Sequence, residues 1–320
     1  MFDIICVGSG TVDAFIETGN KLFKGRNGHC KIPFGSKILV ESLKFYTGGG
    51  GTNNSVAFSR MGLKTAWIGK IGKGTNSQRI IKEMKKEKVD VSMVKRCNGR
   101  TGFAVILDAS GHDRTILVFK GSNNDFSIND VPFNKLKTKW IYMGTMMGKG
   151  YKAIEKIALF AKDKGIKIAF NPSTYLAKKG KRFLKRLLIH INIIIINIEE
   201  AEGISRRKKI EDMLKGIHKL GPEIVVITDG KKKAHAYDGE YHYTIKPNRI
   251  KVVEATGAGD AFGSGFVTGI IKKNDIEFAM QLGLKESQSV ITHHGAKNKL
   301  LTWNEAQKIK SRKVVKRRLQ

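Results

Sequence analysis

A chain of 320 residues can bury a large core, as one big α/β domain or as one domain with a small accessory unit. Its 41% of hydrophobic residues is ordinary for a soluble globular protein, and the longest apolar run, 187–198, holds His190, Asn192 and Asn197 and is too short to cross a bilayer. The 59 basic and 28 acidic residues leave a formal charge of +31, which attracts anions and could hold nucleic acid non-specifically. The basic residues are spread along the whole chain, however, and become dense only at 308–318, as on a solvated surface, so nucleic acid is not the expected partner. Cys6, Cys30 and Cys97 show neither paired spacing nor a histidine pattern for a metal, which fits reduced thiols, with Cys6 in the core. Asp3 interrupts the first apolar run, so no export signal is read and a cytoplasmic location is expected.

The first element is a buried strand at 2–8. Residues from about 12 to 45 lack a helical period and include a β-rich piece at 38–43. Helix 53–62, strand 65–69 and helix 76–88 form an α/β unit. A second β-rich section runs through 102–107, turns at Gly111 and returns through 115–119, which is a hairpin signal. From Trp140 the pattern becomes regular, with strands at 140–143, 166–170, 193–196 and 224–227 separated by helices near 151–164, 179–189, 199–203 and 206–219. Apolar strands alternating with helices predict a mostly parallel sheet covered on both faces, with ligands beyond the carboxyl ends of its strands. The two early β segments do not fit that sheet and are predicted to form a separate flap. The small-residue stretch 261–267 reads as a buried helix, and helices at 275–291 and 303–311 close the chain.

The chemistry concentrates in two glycine-rich blocks. In Val253-Glu254-Ala255-Thr256-Gly257-Ala258-Gly259-Asp260-Ala261-Phe262, three small residues open backbone N–H groups to an anion at the start of a helix. Asp260 follows them directly, placed to take a proton from a hydroxyl attacking a phosphate. A glycine loop with Asp260 as a plain helix cap is the structural alternative. In the block 47–62, the glycines at 48–51 let backbone approach a ligand, and Asn53 offers a hydroxyl both donor and acceptor. Competing nucleotide motifs fail: Gly8-Ser9-Gly10-Thr11-Val12-Asp13 has Asp where a third Rossmann glycine belongs, and Gly72-Lys73-Gly74-Thr75 only approaches a P-loop.

Together, and in this order, the two blocks resemble the two signatures of the PfkB/ribokinase family of carbohydrate kinases. The resemblance spans nearly the whole chain. It implies a single ribokinase-like α/β domain over 1–320, a mostly parallel central sheet flanked by helices, with a small β-sheet lid formed by about 12–45 and 100–122. It also implies ATP-dependent phosphorylation of a sugar hydroxyl, with ATP and Mg²⁺ as cofactors. Asp260 would be the general base, and the backbone of Gly257, Ala258 and Gly259 the anion hole. Asp13, Gly49, Gly50 and Asn53 would bind the substrate. Asn171, Asn197, Thr228, Gly230, Gly295 and Ala296 would line the nucleotide, and Glu200 of Asn197-Ile198-Glu199-Glu200 would reach Mg²⁺ through water. Glu254 and Thr256 occupy positions that bind a monovalent cation such as K⁺ in many relatives, though the usual residue at 254 is Asp.

Other departures bear on the substrate. Ribokinases proper usually have Lys where this chain has Gly50 and Glu where it has Gly144, which argues against ribose in particular. Gly72-Lys73-Gly74 stands where relatives usually show Gly-Asp-Asp, and no function is assigned to that change. Arg114 and Lys120 on the lid could meet an anionic substrate group, or could simply be solvated. A nucleoside kinase of the same family, a non-catalytic sugar sensor and a nucleic-acid-binding protein are the alternatives, and the intact Asp260 with its Gly-Ala-Gly speaks against the sensor. A sugar or nucleoside substrate, no membrane, and a homodimer through the lid complete these expectations.

Overall fold

The computed structural model describes residues 1–17, 34–108 and 115–319. The apolar strand β1 (Phe2–Val7) lies inside a nine-stranded sheet, in parallel between β4 (Thr65–Ile68) and β9 (Thr138–Met143). Parallel pairing continues through β10 (Lys167–Phe170), β11 (Ile193–Asn197) and β12 (Ile224–Thr228). Three antiparallel strands, β13 (Ala234–Tyr237), β14 (Tyr241–Ile245) and β15 (Val314–Arg318), then complete the edge. Successive residues of β1 alternate between the two faces. Ile5 and Val7 join a core with Ile141, Ile154 and Leu214, while Ile4 and Cys6 join one with Phe58, Tyr142 and Phe266. Both faces are buried, as expected where helices cover a parallel sheet.

The covering helices are α1 (Gly50–Arg60), α2 (Thr75–Lys86), α3 (Lys149–Asp163), α4 (Thr174–Ala177), α5 (Gly180–Leu188), α6 (Ile198–Ser205), α7 (Ile210–His218), α8 (Ala258–Lys273), α9 (Ile276–Val290) and α10 (Trp303–Lys308). Among the described residues no helix is long and apolar enough to cross a membrane. Strand order reverses at β1, which meets β4 on one side and the later strand β9 on the other. The carboxyl ends of β1 and β9 therefore flank a switch point, where open α/β sheets bind ligands. Gly8 and Gly144 follow those two ends, and Gly144 N–H donates to Val7 O at 2.8 Å.

The predicted flap is a separate four-stranded sheet in the order β3-β2-β7-β8, from β2 (Thr11–Glu17), β3 (Ser42–Gly48), β7 (Gly102–Asp108) and β8 (Thr115–Phe119). A two-stranded pair, β5 (Lys70–Ile71) and β6 (Lys95–Arg96), lies apart from both sheets. The turn expected at Gly111, Arg114 and Cys30 lie outside the described residues. The outer strand β8 leaves Ile116, Leu117, Val118 and Phe119 exposed.

Several boundaries differ from the sequence reading. The piece at 38–43 falls mostly before β3, which runs on into the glycine block, and α1 begins at Gly50 rather than at 53. Propensity disfavours glycine in a helix, but the backbones of Gly8 and Gly51 approach so closely that only glycine fits. The helix expected at 206–219 starts at Ile210, because Arg206 turns left-handed (φ 56°) and ends α6. The helix expected at 303–311 stops at Lys308, and the dense basic run beyond it supplies β15. Its lysines and arginines masked the strand, whose pairing with β14 is a tertiary preference rather than a local one.

A histidine pair, His242 buried and His235 half-buried, holds that edge. His235 Nδ1 and His242 Nε2 are 2.9 Å apart, and His242 Nδ1 faces Arg317 of β15, which is ion-paired with Glu211 of α7 at 2.6 Å. Burial depresses both histidines, with Arg317 acting in the same sense on His242 and His242 on His235, whose value falls to about 4; Lys233 adds to this, while Glu211, and for His235 also Asp229, oppose it. The fold therefore holds neutral imidazoles that the unfolded chain would protonate near the ordinary histidine value. Stability should be unaffected above that value and decline as pH falls from about 6.5 towards 4. Hydrogen exchange should show protection of β14 and β15 amides falling over that interval, and constant protection would contradict this.

Candidate active site

Both signature blocks reach the switch point. Gly257 adopts a left-handed conformation (φ 81°) that caps α8, and a Cβ there would meet Ala296 Cβ at 2.5 Å. Its glycine is thus demanded twice, by backbone and by space. Asp260 is the third residue of α8 rather than its cap, so the plain capping role does not apply. Its carboxylate instead points at α1: Oδ2 accepts from Asn53 Nδ2 at 2.9 Å and Oδ1 from Asn54 Nδ2 at 3.0 Å. Asn54 also donates to Gly50 O at 2.7 Å, and a Cβ at Gly50 would lie 3.5 Å from Asp260 Oδ1.

Burial raises the Asp260 carboxyl above the usual range, while the Asn53 and Asn54 hydrogen bonds and the charge of Lys297 pull it down. The N–H groups of Gly259 and Asp260 meet no acceptor among the described residues, whereas Ala258 N–H donates to Ala255 O over a long 3.3 Å. A Cβ at Gly259 would find open space. A helix N-terminus of this kind is an anion site with its donors unused.

Asp13 of β2 lies nearby, almost fully buried, accepting from Thr11 Oγ1 at 2.9 Å. A Cβ at Gly48 would collide with its carboxylate, and one at Gly49 (φ 94°) would lie 2.6 Å from Ser9 O. Burial raises Asp13 too; Thr11 and Lys297 oppose the rise and Glu254 adds to it. Lys297, 4% exposed, was not singled out in the sequence. Its ammonium donates to Thr52 Oγ1 at 3.3 Å and pairs with Glu83 at 3.3 Å. Burial lowers its pKa, and Glu83, Asp13 and Asp260 resist that shift. A buried cation therefore sits in the field of both aspartates.

Glu254 Oε2 accepts from Gly295 N–H at 2.9 Å, while Glu254 Oε1 and Thr256 Oγ1 are buried without partners among the described residues. Two orphaned oxygens in one turn are what a small cation would satisfy. The expected nucleotide residues line up at the ends of adjacent parallel strands. Asn171, after β10, donates to Ile195 O at 2.7 Å, and Thr228 Oγ1 faces Ile196 O at 3.5 Å. Gly230 is left-handed (φ 50°) and opens onto free space. Asn197 and Glu200 form a reciprocal capping box at the start of α6, with bonds of 2.8 and 3.0 Å, and Thr174 also donates to Glu200 at 3.3 Å. Burial raises the Glu200 carboxyl and Glu199 adds to it, against the pull of Asn197 and Thr174. Ala296 packs on Gly257, and Gly295 on Tyr46 of the small sheet. The structure thus gathers Asp13, Gly49, Gly50, Asn53 and Asp260 at one end, and Asn171, Asn197, Glu200 and Thr228 along the neighbouring strand ends.

Asn54 and Lys297 are the residues that sequence reasoning missed. The doublet Asn53-Asn54 could have signalled a shared partner. Nothing distinguishes Lys297 locally in so lysine-rich a chain.

Known proteins resemble this chain over most of its length. The family model for pfkB family carbohydrate kinases matches residues 2–303. An uncharacterized sugar kinase of Archaeoglobus fulgidus is 28% identical over 250 residues, covering 77% of this chain and 98% of that protein. A ribokinase of Staphylococcus aureus is 27% identical over 301 residues, covering 92% and 94%. A putative ribokinase II from E. coli, solved in complex with ATP and Mg²⁺, superimposes with a TM-score of 0.82 at 18% identity, over 96% of this chain and 98% of that one. With a family match over nearly its whole length and the ribokinase fold, the chain belongs to the PfkB family of carbohydrate kinases.

Proposed function

We propose that the protein transfers the γ-phosphoryl group of ATP to a hydroxyl of a sugar, with Asp260 as the general base. The observation that carries this reading is the Asp260 carboxylate, fixed by two amide donors beside unused N–H groups at the start of a sixteen-residue helix. Asp260 accepts the proton of the acceptor hydroxyl as its oxygen bonds to the γ-phosphorus, and the bond from that phosphorus to the β–γ bridging oxygen breaks. The N–H groups of Gly257 and Gly259, joined by that of Asp260, stabilise charge on the transferring oxygens, whereas Ala258 N–H, expected among them, is turned to Ala255 O. Asp13 and Asn53 orient the sugar hydroxyls, and the small sheet excludes water that would otherwise compete as acceptor. The residues fit ATP and Mg²⁺: Asn171, Asn197, Thr228, Gly230, Gly295 and Ala296 would line the nucleotide, and Glu200 would hold the ion through water. Bound Mg²⁺ neutralises phosphate charge. ADP release should rise strongly with one acceptor from a panel of sugars, sugar phosphates and nucleosides; ATP turnover indifferent to every acceptor would remove the reading. A nucleoside acceptor is the second reading, since Asp13 and Asn53 would hold ribose hydroxyls in the same way.

Two predictions test the supporting groups. Lys297 holds the carboxyl of Asp260 down, so Lys297→Met should move the acid limb of the kcat/KM profile to higher pH. Its sign is fixed: without the cation the base takes up its proton earlier on the way down. An unmoved limb would separate Lys297 from Asp260. The orphaned oxygens of Glu254 and Thr256 support a monovalent cation there. Activity should then be higher in K⁺ than in a quaternary ammonium salt of equal ionic strength, and equal rates would count against it.

A further inference from the structure

Lys120 follows β8 by one residue and stands next in line to Val118, the partner of Ala104, which in turn pairs with Asp13. The register continues Thr11 opposite Gly102, and a Cβ at Gly102 would lie 3.1 Å from both Lys120 O and Thr11 Cγ2. Asn123 fastens this corner to the substrate floor, donating to Lys120 O and Gly10 O at 3.0 Å and accepting from Gly10 N–H at 3.1 Å. From there the Lys120 ammonium spans to the main domain and lies 5.3 Å from the ring of Tyr175 on α4. It has no carboxylate partner among the described residues, and burial alone lowers its pKa. The half-buried ammonium thus has an aromatic face beside it but no counter-ion, and an anion brought into this corner would supply one.

Two further features mark the same corner as a place for substrate. The Ser173 hydroxyl, two residues before Tyr175, is buried without a partner among the described residues. Gly144, at the end of β9 beside the switch point, is not demanded by the fold. A Cβ there would make only ordinary contacts, with Val7 O at 3.6 Å and Gly8 Cα at 3.9 Å, and its backbone is not left-handed. The missing side chain leaves room that the fold would have let a larger residue fill.

We propose that Lys120, with the Ser173 hydroxyl, binds an anionic group on the acceptor, so that the substrate is a sugar carrying a carboxylate or a phosphate away from the hydroxyl to be phosphorylated. This rests on the kinase reading above. The anion replaces the missing counter-ion of Lys120 while the reacting hydroxyl stays at Asp260. The test compares D-fructose 6-phosphate and 2-dehydro-3-deoxy-D-gluconate with D-ribose, D-fructose and adenosine, in wild type, Lys120→Met and Lys120→Arg. Wild type should show its highest kcat/KM with one of the two anionic acceptors, and which one tells phosphate from carboxylate. Lys120→Met should raise the KM for that acceptor roughly 10–100-fold with kcat within a few-fold, as for a lost hydrogen bond to a charged group, and Lys120→Arg should restore most of it. A neutral acceptor used best by wild type would overturn the inference and leave the kinase reading standing. So would a Lys120→Met effect that is equal for all acceptors, or one that falls on the KM for ATP. Failure of every acceptor with a folded protein would remove both.

Discussion

Replacing Asp260 by asparagine is expected to lower kcat by roughly 10²–10⁴-fold, the range for loss of a general base. The substitution keeps size and removes the basic oxygen that takes the hydroxyl proton. Nucleotide affinity should change far less, because the phosphates would rest on backbone N–H groups at the start of α8 and on Mg²⁺. Stability is not expected to be untouched. Both carboxylate oxygens accept from amides, Asn53 at 2.9 Å and Asn54 at 3.0 Å, and an asparagine can accept through only one. The other position would face donor to donor, a loss of about 1–3 kcal/mol for a buried unsatisfied group. Steady-state kinetics alongside a denaturation midpoint separates the two effects. A folded Asp260→Asn variant with near wild-type turnover would show that the proton goes elsewhere.

The second large effect is structural and lies in the glycine block. A Cβ at Gly51 would lie 2.5 Å from both Gly8 C and Gly8 O and 2.6 Å from Trp67 Nε1. These are backbone atoms and a buried ring whose N–H already donates to Gly8 O at 3.0 Å, so neither neighbour gives way cheaply. Gly51→Ala should therefore cost about 3 kcal/mol, the upper end of ordinary overpacking. It should also spread the approach of α1 to β1, which places Asn53 and Asn54. The adjacent Gly50→Ala is the contrast, since its Cβ would stand at an ordinary 3.5 Å from Asp260. Urea unfolding should place the two variants far apart. A Gly51→Ala protein as stable as its Gly50→Ala counterpart would show that the contact is not tight.

Much of the fold was legible because its signals are local. The apolar runs of β1 and of β9 to β12 sit between helices of ordinary length, and alternation of that kind has few solutions. The flap was legible as a departure from that pattern. What escaped depends on partners distant in sequence. The helix through Gly50 and Gly51 exists because Gly8 leaves room for it, and β15 exists because β14 offers an edge to a run that reads as solvated charge. The site divides in the same way. The two glycine blocks announce Asp260 and Asn53 through composition, whereas Lys297 matters only because folding brings it from a lysine-rich segment into the field of Asp13 and Asp260. Glu200 was visible as part of a pattern, yet that pattern is also a complete capping box, so sequence alone could not separate its two uses.

Phosphorus NMR of a reaction holding the protein, ATP, Mg²⁺ and the best acceptor of the panel shows where the γ-phosphoryl group goes. One new phosphomonoester resonance on the acceptor is expected, growing in step with ADP and absent when Asp260→Asn replaces the wild type. Consumption of ATP with only inorganic phosphate as the new signal, whatever the acceptor, would contradict it.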